Sequence, residues 1–262
     1  MIDLHCHVLP GIDDGPDSIE DSLLLARAAE TAGTRTLVAT PHVSWRYPNE
    51  SHTIASLANE LSACLAQERI DLTLRTGGEI AMTRLLDIEA DELSRLGFGA
   101  GHWLLVEPPF MPAIAGLDTM LLGLQGRGHR ILLAHPERCH AFHRDRAMLE
   151  SLVRAGVLTS LTAGSLVGRF GERVRRFALQ LVRDGLAHNV ASDAHDHTGR
   201  PPGMSAELER AGLAPLAEWF THAVPAAILE DQEIPACPLE RRELSELGGS
   251  VRARRGLWRR RR

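Results

Sequence analysis

Apolar and polar positions follow two kinds of pattern along this chain of 262 residues. Short runs rich in β-branched and aliphatic residues predict strands at 2–6, 36–40, 72–76, 103–107, 131–134, 158–162 and 189–192. Longer segments with apolar residues at helical spacing predict helices at 19–32, 51–67, 83–96, 114–127, 145–155, 172–183 and 215–222. This alternation predicts parallel strands joined by helical crossovers.

Chain length and glycine motifs decide between two architectures for such a sheet. Roughly 250 residues is the usual size of a β/α barrel. A doubly wound sheet that binds a nucleotide needs a glycine-rich phosphate loop after its first strand. Neither GxGxxG nor GxxxxGK[ST] occurs here, so we expect a β/α barrel that occupies residues 1–250 as a single domain.

Composition and cysteine spacing exclude several classes of protein. The chain is 44% hydrophobic and 24% charged, as in ordinary globular proteins. No apolar run approaches the length of about 18 residues that a membrane span needs, and the N-terminus carries no secretory signal pattern. The four cysteines lack CxxC spacing, which fits reduced thiols and predicts a cytoplasmic protein.

Charge is distributed unevenly along the chain. The net charge is −5, every basic residue is arginine, and seven of the 29 arginines lie within residues 251–262. Without that segment, 34 acidic residues face 22 arginines, a net charge of −12, which disfavours nucleic acid as a partner. The arginine-rich tail is expected to be a solvated, disordered end; the alternative is peripheral contact with an anionic membrane or an acidic partner, which its composition also suits.

Histidine and acidic residues gather at the carboxyl ends of the predicted strands, where barrels build their active sites. His5 and His7 are two residues apart, so they face the same side of an extended strand, whereas Cys6 faces the other way. The remaining ligand-type residues at this rim are Asp14, His42, Glu79, Glu107, His135, Asp193 and His195. Any one of them alone could be a rim residue, but the set favours a multinuclear metal site.

The ligand types narrow the choice of metal. Five imidazoles and four carboxylates without a thiolate favour Mn, Fe, Zn or Co over Mg or Ca. Four carboxylates supply a charge of −4, so three divalent ions would leave a surplus of about +2, which suits a phosphate monoester of about −1.5 to −2. We therefore expect three divalent transition-metal ions, manganese first and iron, zinc or cobalt as alternatives.

The motifs that carry these residues resemble a known superfamily. HxH, the TPH loop, GGE, the EP strand end, AHPER and SDAH are similar to the motifs of the polymerase and histidinol phosphatase (PHP) superfamily. Within it, MIDLHCHVLPGIDDGP, ATPHVSWRY, GGEI, LLAHPER and SDAH followed by GRPPGM resemble the bacterial capsular-polysaccharide-type tyrosine phosphatases. The resemblance covers roughly residues 1–206 and implies a distorted, TIM-like barrel with seven strands and a trinuclear site.

The resemblance also implies a role for each ligand. The first ion would be held by His5, His7, Glu79 and Asp193, the second by Glu79, Glu107 and His135, and the third by Asp14, His42 and His195. Asp13 is the alternative to Asp14, which is preferred because it directly precedes Gly15. Asp196 and His197 are further ligand-type residues without an assigned role.

Two arginines and two aromatic residues lie on the same loops. Arg138 follows His135 by three residues and Arg200 follows His195 by five, and the resemblance implies that both clamp the substrate phosphate. Arginine suits this task because its planar fork matches phosphate oxygens; the alternative is surface pairing with neighbouring acidic residues. Trp45 and Tyr47 either stack on a phenyl ring or cover the barrel mouth.

These expectations converge on a metal-dependent phosphotyrosine-protein phosphatase that uses a metal-activated hydroxide. The resemblance implies a phosphotyrosine protein as its partner, foremost the tail of a membrane-associated tyrosine kinase, and a role in regulating capsular or exopolysaccharide synthesis. Cysteine-dependent chemistry is excluded because no cysteine is followed by arginine six positions later. The alternatives are a phosphoesterase of the same superfamily that acts on a small phosphate monoester, and a regulatory metal-binding module without catalysis.

Overall fold

A computed structural model of the protein describes residues 1–111 and 116–248. Its strands are β1 Ile2–Cys6, β2 Thr36–Ala39, β3 His42–Val43, β4 Thr73–Thr76, β5 Glu79–Ala81, β6 Trp103–Glu107, β7 Arg130–Ala134, β8 Leu158–Thr162 and β9 Asn189–Ala191. Its α-helices are α1 Ile19–Thr31, α2 Ser51–Gln67, α3 Ala90–Arg95, α4 Leu117–Gln125, α5 His140–Arg144, α6 Arg146–Arg154, α7 Ala163–Leu166, α8 Glu172–Arg183, α9 Ser205–Arg210, α10 Val224–Leu229 and α11 Arg241–Glu246. The helices alternate with the strands, so the predicted α/β class is confirmed.

The described strands form two parallel sheets. One contains three strands in the order β1-β2-β4, and the other contains six in the order β3-β5-β6-β7-β8-β9. Every ladder in both sheets is parallel. Consecutive strands of the larger sheet are neighbours, so the loops that follow them lie side by side at one edge. Within the described residues, the strands do not close into a single hydrogen-bonded sheet.

Two of the seven predicted strands are each followed, after a break, by a second short strand that was not predicted. The predicted strand at 36–40 is β2, and β3 continues it after Pro41; the predicted strand at 72–76 is β4, and β5 continues it after Gly77 and Gly78. Pro41 interrupts the first ladder because it has no N–H to donate to a neighbouring strand. At the second break the chain passes close to β3: a Cβ at Gly78 would lie only 3.0 Å from a methyl of Val43. The breaks transfer the chain from the smaller sheet to the larger one.

The two sheets also meet where the first strand passes the last. Cys6 and Ala194 form a parallel bridge. The backbone N–H of His7 donates to the Ala194 carbonyl at 2.9 Å, and the N–H of Asp193 donates to the His5 carbonyl at 2.8 Å. The carboxyl end of β1 therefore lies beside the segment that follows β9, although the two belong to different sheets.

Strand and helix sequences explain which faces are buried. All five residues of β8 are buried, as expected for a central parallel strand that is covered on both sides. In α2 the buried residues Ile54, Ala58, Leu61 and Leu65 recur every three or four positions, which gives one apolar face. Burial of each such leucine stabilises the fold by about 1.5–3 kcal/mol. The helices thus cover the sheets and leave the carboxyl ends of the strands free to build a site.

Two predicted helices differ from the structure. The segment 83–96 is not one helix but a 3₁₀ turn at Met82–Arg84 and the short α3, because Glu89 has extended backbone and Arg84 is held by Asp87 at 2.8 Å. The predicted helix at 215–222 runs on through a π-helical turn into α10, which ends at Leu229. Pro225 lies at the start of α10, directly after the π-helical turn.

Other expectations fall partly outside the described residues. The first part of the predicted helix at 114–127 does so, and the structure begins α4 at Leu117. The arginine-rich tail, residues 251–262, also lies outside them. In the part of the chain that the structure describes, no helix combines the length and apolar character needed to cross a membrane.

Candidate metal centre

The first strand delivers two imidazoles to one point. His5 and His7 are both buried, and their Nε2 atoms lie 3.2 Å apart. The Asp193 Oδ1 atom lies 3.5 Å from His5 Nε2 and 3.7 Å from His7 Nε2. The alternation of an extended strand thus places both histidines on one face, as the HxH pattern predicts.

The two short strands that follow the breaks bring further ligand-type groups to the same point. His42 in β3 is the register partner of Glu79 in β5, and His42 Nδ1 lies 2.9 Å from Glu79 Oε2. Glu107 ends the adjacent β6 and pairs in register with Ala81. Its carboxylate reaches His135 Nε2 at 3.7 Å. The strand breaks therefore turn two expected loop residues into residues fixed by strand pairing.

Two residues of the centre have strained backbone. His135 and Asp193 have φ values of 31° and 52°, in the left-handed region that residues with a Cβ rarely adopt. Both are held by backbone hydrogen bonds of 2.8 Å, His135 to Ser160 and Asp193 to His5. Backbone strain of this kind persists only where the surrounding structure enforces it, and it is found most often at functional sites. At both positions the strand turns sharply and aims a ligand-type side chain at the cluster.

All nine predicted ligand residues converge in four overlapping groups. Within each group, one ligand atom from every residue lies within 4.8 Å of the others. The groups are His7, Asp14, His42 and His195; His5, His7 and Asp193; His5, Glu79 and His135; and His42, Glu79 and Glu107. Glu79, His5, His7 and His42 each belong to two groups, so the nine side chains form one continuous cluster.

The structure distinguishes the two adjacent aspartates of the first loop. The Asp14 side chain is 45% exposed, and its Oδ1 lies 3.3 Å from His195 Nε2 and 3.4 Å from His42 Nε2. The Asp13 side chain is buried and accepts hydrogen bonds from His7 Nδ1 at 2.7 Å and from the His42 backbone N–H at 3.0 Å. Asp14 is thus aimed into the cluster, whereas Asp13 holds its members in place.

Ionisation in the cluster reflects the crowding of like charges. Burial and the adjacent Glu79 raise the pKa of Glu107 to about 8. Burial opposes ionisation of His7, but hydrogen bonds to Asp13 and Glu79 outweigh it and raise the pKa of His7 to about 10. Burial lowers the pKa of His135 to about 4. Protons thus substitute here for the positive charge that buried carboxylates require.

The donor set fits divalent transition metals. Imidazole nitrogens and carboxylate oxygens are the ligands that Mn, Fe, Zn and Co accept. Among the described residues, Glu79 Oε2 is buried without a well-formed hydrogen bond, although it lies 2.9 Å from His42 Nδ1 and 3.3 Å from His7 Nε2. A cation at this point would satisfy that oxygen and relieve the repulsion between Glu79 and Glu107.

Both predicted arginines reach the edge of the cluster and meet on one carboxylate. Arg138 Nη1 and Arg200 Nη2 each lie 2.7 Å from Asp193 Oδ2. Both guanidinium groups therefore pair with an acidic residue, but it is the buried Asp193 of the cluster and not a surface carboxylate. Burial alone would raise the pKa of Asp193, but the charges of His5 and of the two arginines outweigh it and hold that pKa below its ordinary value. Two guanidinium groups converge where an anion could contact both.

Asp196, which the sequence left without a role, holds the loop of Arg200. Its carboxylate accepts the backbone N–H groups of Thr198, Gly199 and Arg200. Burial alone would raise the pKa of Asp196, but these hydrogen bonds lower it to about 2. Asp196 belongs to none of the four ligand groups; its side chain shapes the loop instead. His197 lines a cavity of 240 Å³ beside this loop.

Aromatic side chains surround the cluster. Tyr47 stacks on His42 with ring centroids 5.7 Å apart, whereas Trp45 is 68% exposed and lies under the Arg84 guanidinium. Phe110 stacks on His135 at 5.6 Å, and Phe170 lies 4.4 Å from Arg138 Cζ. The sequence analysis missed the two phenylalanines. Phe110 could have been noticed as an aromatic residue three positions after a strand-end glutamate.

The family described as "Capsular polysaccharide synthesis, CpsB/CapC" matches residues 1–211. That match contains all nine ligand-type residues and both arginines of the cluster. The chain belongs to the CpsB/CapC family. The resemblance found in the sequence motifs is thereby confirmed.

Individual relatives extend the CpsB/CapC match. The chain is 33% identical over 255 residues to "Tyrosine-protein phosphatase YwqE" of Bacillus subtilis (strain 168), covering 93% of this chain and 98% of that one. It is 28% identical over 212 residues to "Tyrosine-protein phosphatase CpsB" of Streptococcus pneumoniae, covering 78% and 86%. A solved structure from work on YwqE and CpsB, described as "unique metal-dependent tyrosine phosphatases", superposes with a TM-score of 0.80 at 33% identity and covers 92% of this chain and 100% of that one.

Proposed function

We propose that this protein is a metal-dependent tyrosine-protein phosphatase that acts in capsular or exopolysaccharide synthesis. The observation that carries the proposal is the convergence of nine ligand-type side chains on one point, with two arginines at its edge, in a chain of the CpsB/CapC family. The relatives named as tyrosine-protein phosphatases match this chain over most of its length.

The nine side chains divide among three divalent ions, with manganese preferred and iron, zinc or cobalt as alternatives. The proposed ligand sets are His5, His7, Glu79 and Asp193; Glu79, Glu107 and His135; and Asp14, His42 and His195. One convergent group contains the whole third set, a second contains three of the four residues of the first set, and the other two each contain Glu79 and one further member of the second set. When bound, such ions supply an activated water for attack on phosphorus.

Arg138 and Arg200 bind the phosphate oxygens and stabilise the charge that builds on them during the displacement. Both guanidinium groups already converge on the same oxygen of Asp193, so a phosphate at this edge contacts the two forks together. A tyrosine phenolate, with a pKa of about 10, leaves without a strong general acid. The chain therefore needs to supply orientation and positive charge more than a proton donor.

The fold and setting are proposed on separate grounds. Residues 1–250 form one distorted β/α barrel of seven units: the two broken strands count as single units, and the Cys6–Ala194 bridge joins the first unit to the last. All four cysteines lie in the described part of the chain and are free thiols, which supports a cytoplasmic location. The proposed partner is a phosphotyrosine protein, foremost the tail of a membrane-associated tyrosine kinase.

The deciding experiment compares phosphotyrosine peptides with small alkyl phosphate monoesters under two treatments. Chelation should abolish turnover of the phosphotyrosine peptide, and added Mn²⁺ should restore it. Iodoacetamide should leave turnover intact, because burial raises the pKa of the Cys6 and Cys139 thiols and keeps both protonated. Inactivation by iodoacetamide together with resistance to chelators would sink the proposal. Preferential turnover of the alkyl esters would instead favour a small-molecule phosphoesterase.

A further inference from the structure

Phe110 is a large apolar ring in an exposed position at the edge of a highly charged cluster. Its side chain is 44% exposed. The ring stacks on His135 at an interplanar angle of 11° and lies 5.2 Å from Arg138 Cζ. It therefore touches a ligand-type imidazole and a phosphate-binding guanidinium at once.

The loop that carries Phe110 is tied to the loop that carries Arg138. Phe110 follows Pro108 and Pro109, which restrict the backbone after the end of β6. The Cys139 thiol, one residue beyond Arg138, donates to the Pro109 carbonyl at 3.5 Å. The ring is thus held at a fixed place relative to the guanidinium, which is what recognition of a substrate group requires.

We propose that Phe110 binds the aromatic ring of the substrate and makes the site select aryl over alkyl phosphate esters. This inference rests on the proposed function and names the residue that determines its specificity. Only the ester oxygen separates phosphorus from the tyrosine ring, so a phosphate held by Arg138 leaves its ring beside the aromatic side chain next to that arginine. Aromatic pairs are favourable when their centroids are about 4.5–7 Å apart.

Other aromatic residues at the rim are placed less well for this task. Tyr47 stacks on His42, which belongs to the Asp14 and His195 side of the cluster. Trp45 is covered by Arg84, whose Cζ lies 4.6 Å from the indole ring. Phe170 contacts the arginines from a half-buried position. Among the described aromatic rings, Phe110 combines exposure with contact to both His135 and Arg138.

The test measures binding rather than turnover, on protein loaded with Mn²⁺. Phenylphosphonate and methylphosphonate share the anionic group and differ in the ring, so the ratio of their dissociation constants isolates its contribution. Phe110→Leu should weaken phenylphosphonate by about fivefold, the size expected for one aromatic pair, and should change methylphosphonate by less than twofold. Leu122→Ala is the control, because Leu122 in α4 is exposed to the same degree, at 43%.

The other outcomes overturn the inference. Equal weakening of both phosphonates would mean that Phe110 acts only by positioning Arg138, and unchanged dissociation constants for both would mean that the substrate ring lies elsewhere. Selective weakening in Trp45→Leu or Tyr47→Leu, but not in Phe110→Leu, would assign the ring to that residue. Failure of the proposed function is detected by a different measurement. In that case the wild-type protein would not hydrolyse a phosphotyrosine peptide, whatever the ratio of the two phosphonate dissociation constants is.

Discussion

The buried carboxylate of Asp13 accepts a hydrogen bond from the Nδ1 atom of His7 at 2.7 Å. Burial alone would raise the pKa of Asp13, but the bond from His7 and the backbone N–H groups of Gly15 and His42 outweigh it and lower that pKa. Asp13 is therefore an acceptor and fixes one proton of His7 on Nδ1, so a metal ion at the centre would replace the other imidazole proton, on Nε2. A carboxylate behind a ligating imidazole fixes its tautomer and orientation in this way.

This relationship predicts different metal-binding defects for two adjacent aspartates. Asp14→Ala removes a proposed ligand and should lower the Mn²⁺ content at saturation by one ion per chain. Asp13→Ala should keep the full content but weaken Mn²⁺ affinity by about 10–100-fold, the usual effect of losing an orienting partner. Equilibrium dialysis with elemental analysis measures both quantities. An ion lost from Asp13→Ala that excess Mn²⁺ does not restore would make Asp13 the ligand.

Arg138 should contribute to substrate binding in the transition state and not to metal binding. Arg138→Ala should keep its metal and lower kcat/KM for an aryl phosphate by about 10²-fold or more, as when one charge-assisted contact to developing charge is lost. Arg138→Lys should recover only part, because a point charge does not reproduce the planar fork. His135→Ala is the contrasting variant and should lose metal and activity together. Wild-type efficiency in Arg138→Ala would move the phosphate clamp elsewhere.

Loss of the ions should destabilise the fold. The cluster joins β1, β3, β5, β6 and the segments after β7 and β9, and its carboxylates repel one another without cations. Ions that bind only the folded chain stabilise it by about 2.7 kcal/mol each at 100 times their Kd, so the metal-free protein should melt lower by about 5 °C or more. Differential scanning calorimetry with and without Mn²⁺ measures the shift. In Glu79→Gln the difference in melting temperature between metal-loaded and metal-free protein should be smaller. Equal melting temperatures of the two forms of the wild-type protein would contradict the convergence of the ligands.

His188 should make stability depend on pH in the acid range. Burial lowers its pKa to about 4, and its Nδ1 accepts from the Thr159 backbone N–H at 3.2 Å. Between pH 4 and an unfolded value of about 6.5, the unfolded chain binds more protons than the folded one, so the free energy of unfolding should rise with pH across this window. Urea titrations at pH 4.5 and 6.5 should show a smaller rise in His188→Gln.

The control for that experiment is His52→Gln, because the His52 side chain is 77% exposed. Its environment changes little on unfolding, so this variant should keep the wild-type rise. The same rise in His188→Gln as in wild-type protein would mean that His188 does not contribute to the acid sensitivity.

Asp196 should act on catalysis through Arg200. Asp196→Ala removes the acceptor of three backbone N–H groups in the Arg200 loop and should lower kcat/KM by about tenfold or more, since misplacement of a binding group costs rate steeply. The same replacement in an Arg200→Ala background should have little further effect. Steady-state kinetics of the four proteins in this cycle gives the coupling. Equal losses in both backgrounds would mean that Asp196 acts independently of Arg200.

The strand-end residues could be predicted from sequence because parallel strands deliver their carboxyl ends to one edge whatever their exact bounds are. His42 and Glu79 were expected in loops and lie in short strands, yet their convergence with His135 was predicted. The predicted helix at 83–96 was wrong because the local spacing of apolar residues carries no information about contacts with distant parts of the chain. Glu92, for example, accepts hydrogen bonds from the Ser51 backbone and hydroxyl in a distant part of the chain.

Other features of the site depend on side-chain orientations and on distances between remote residues, which the sequence pattern does not predict. Asp13 and Asp14 are identical in type and adjacent, and they differ only in which way the side chain points. The importance of Phe110 depends on its distance from Arg138, 28 positions later. Asp196 was noticed as a potential ligand, but the turn that directs its carboxylate onto its own loop follows from backbone geometry.

The bridge between Cys6 and Ala194 has a consequence for the order in which the protein matures. His5, His7 and His42 leave the ribosome early, but Asp193 and His195 follow about 150 residues after His42. A nascent chain therefore carries an incomplete ligand cluster until the segment with Asp193 and His195 has been synthesised. Contacts of such long sequence separation form late and slowly. Metal capture should thus be among the last events in biogenesis, and it marks the chains in which the first and last strands have met.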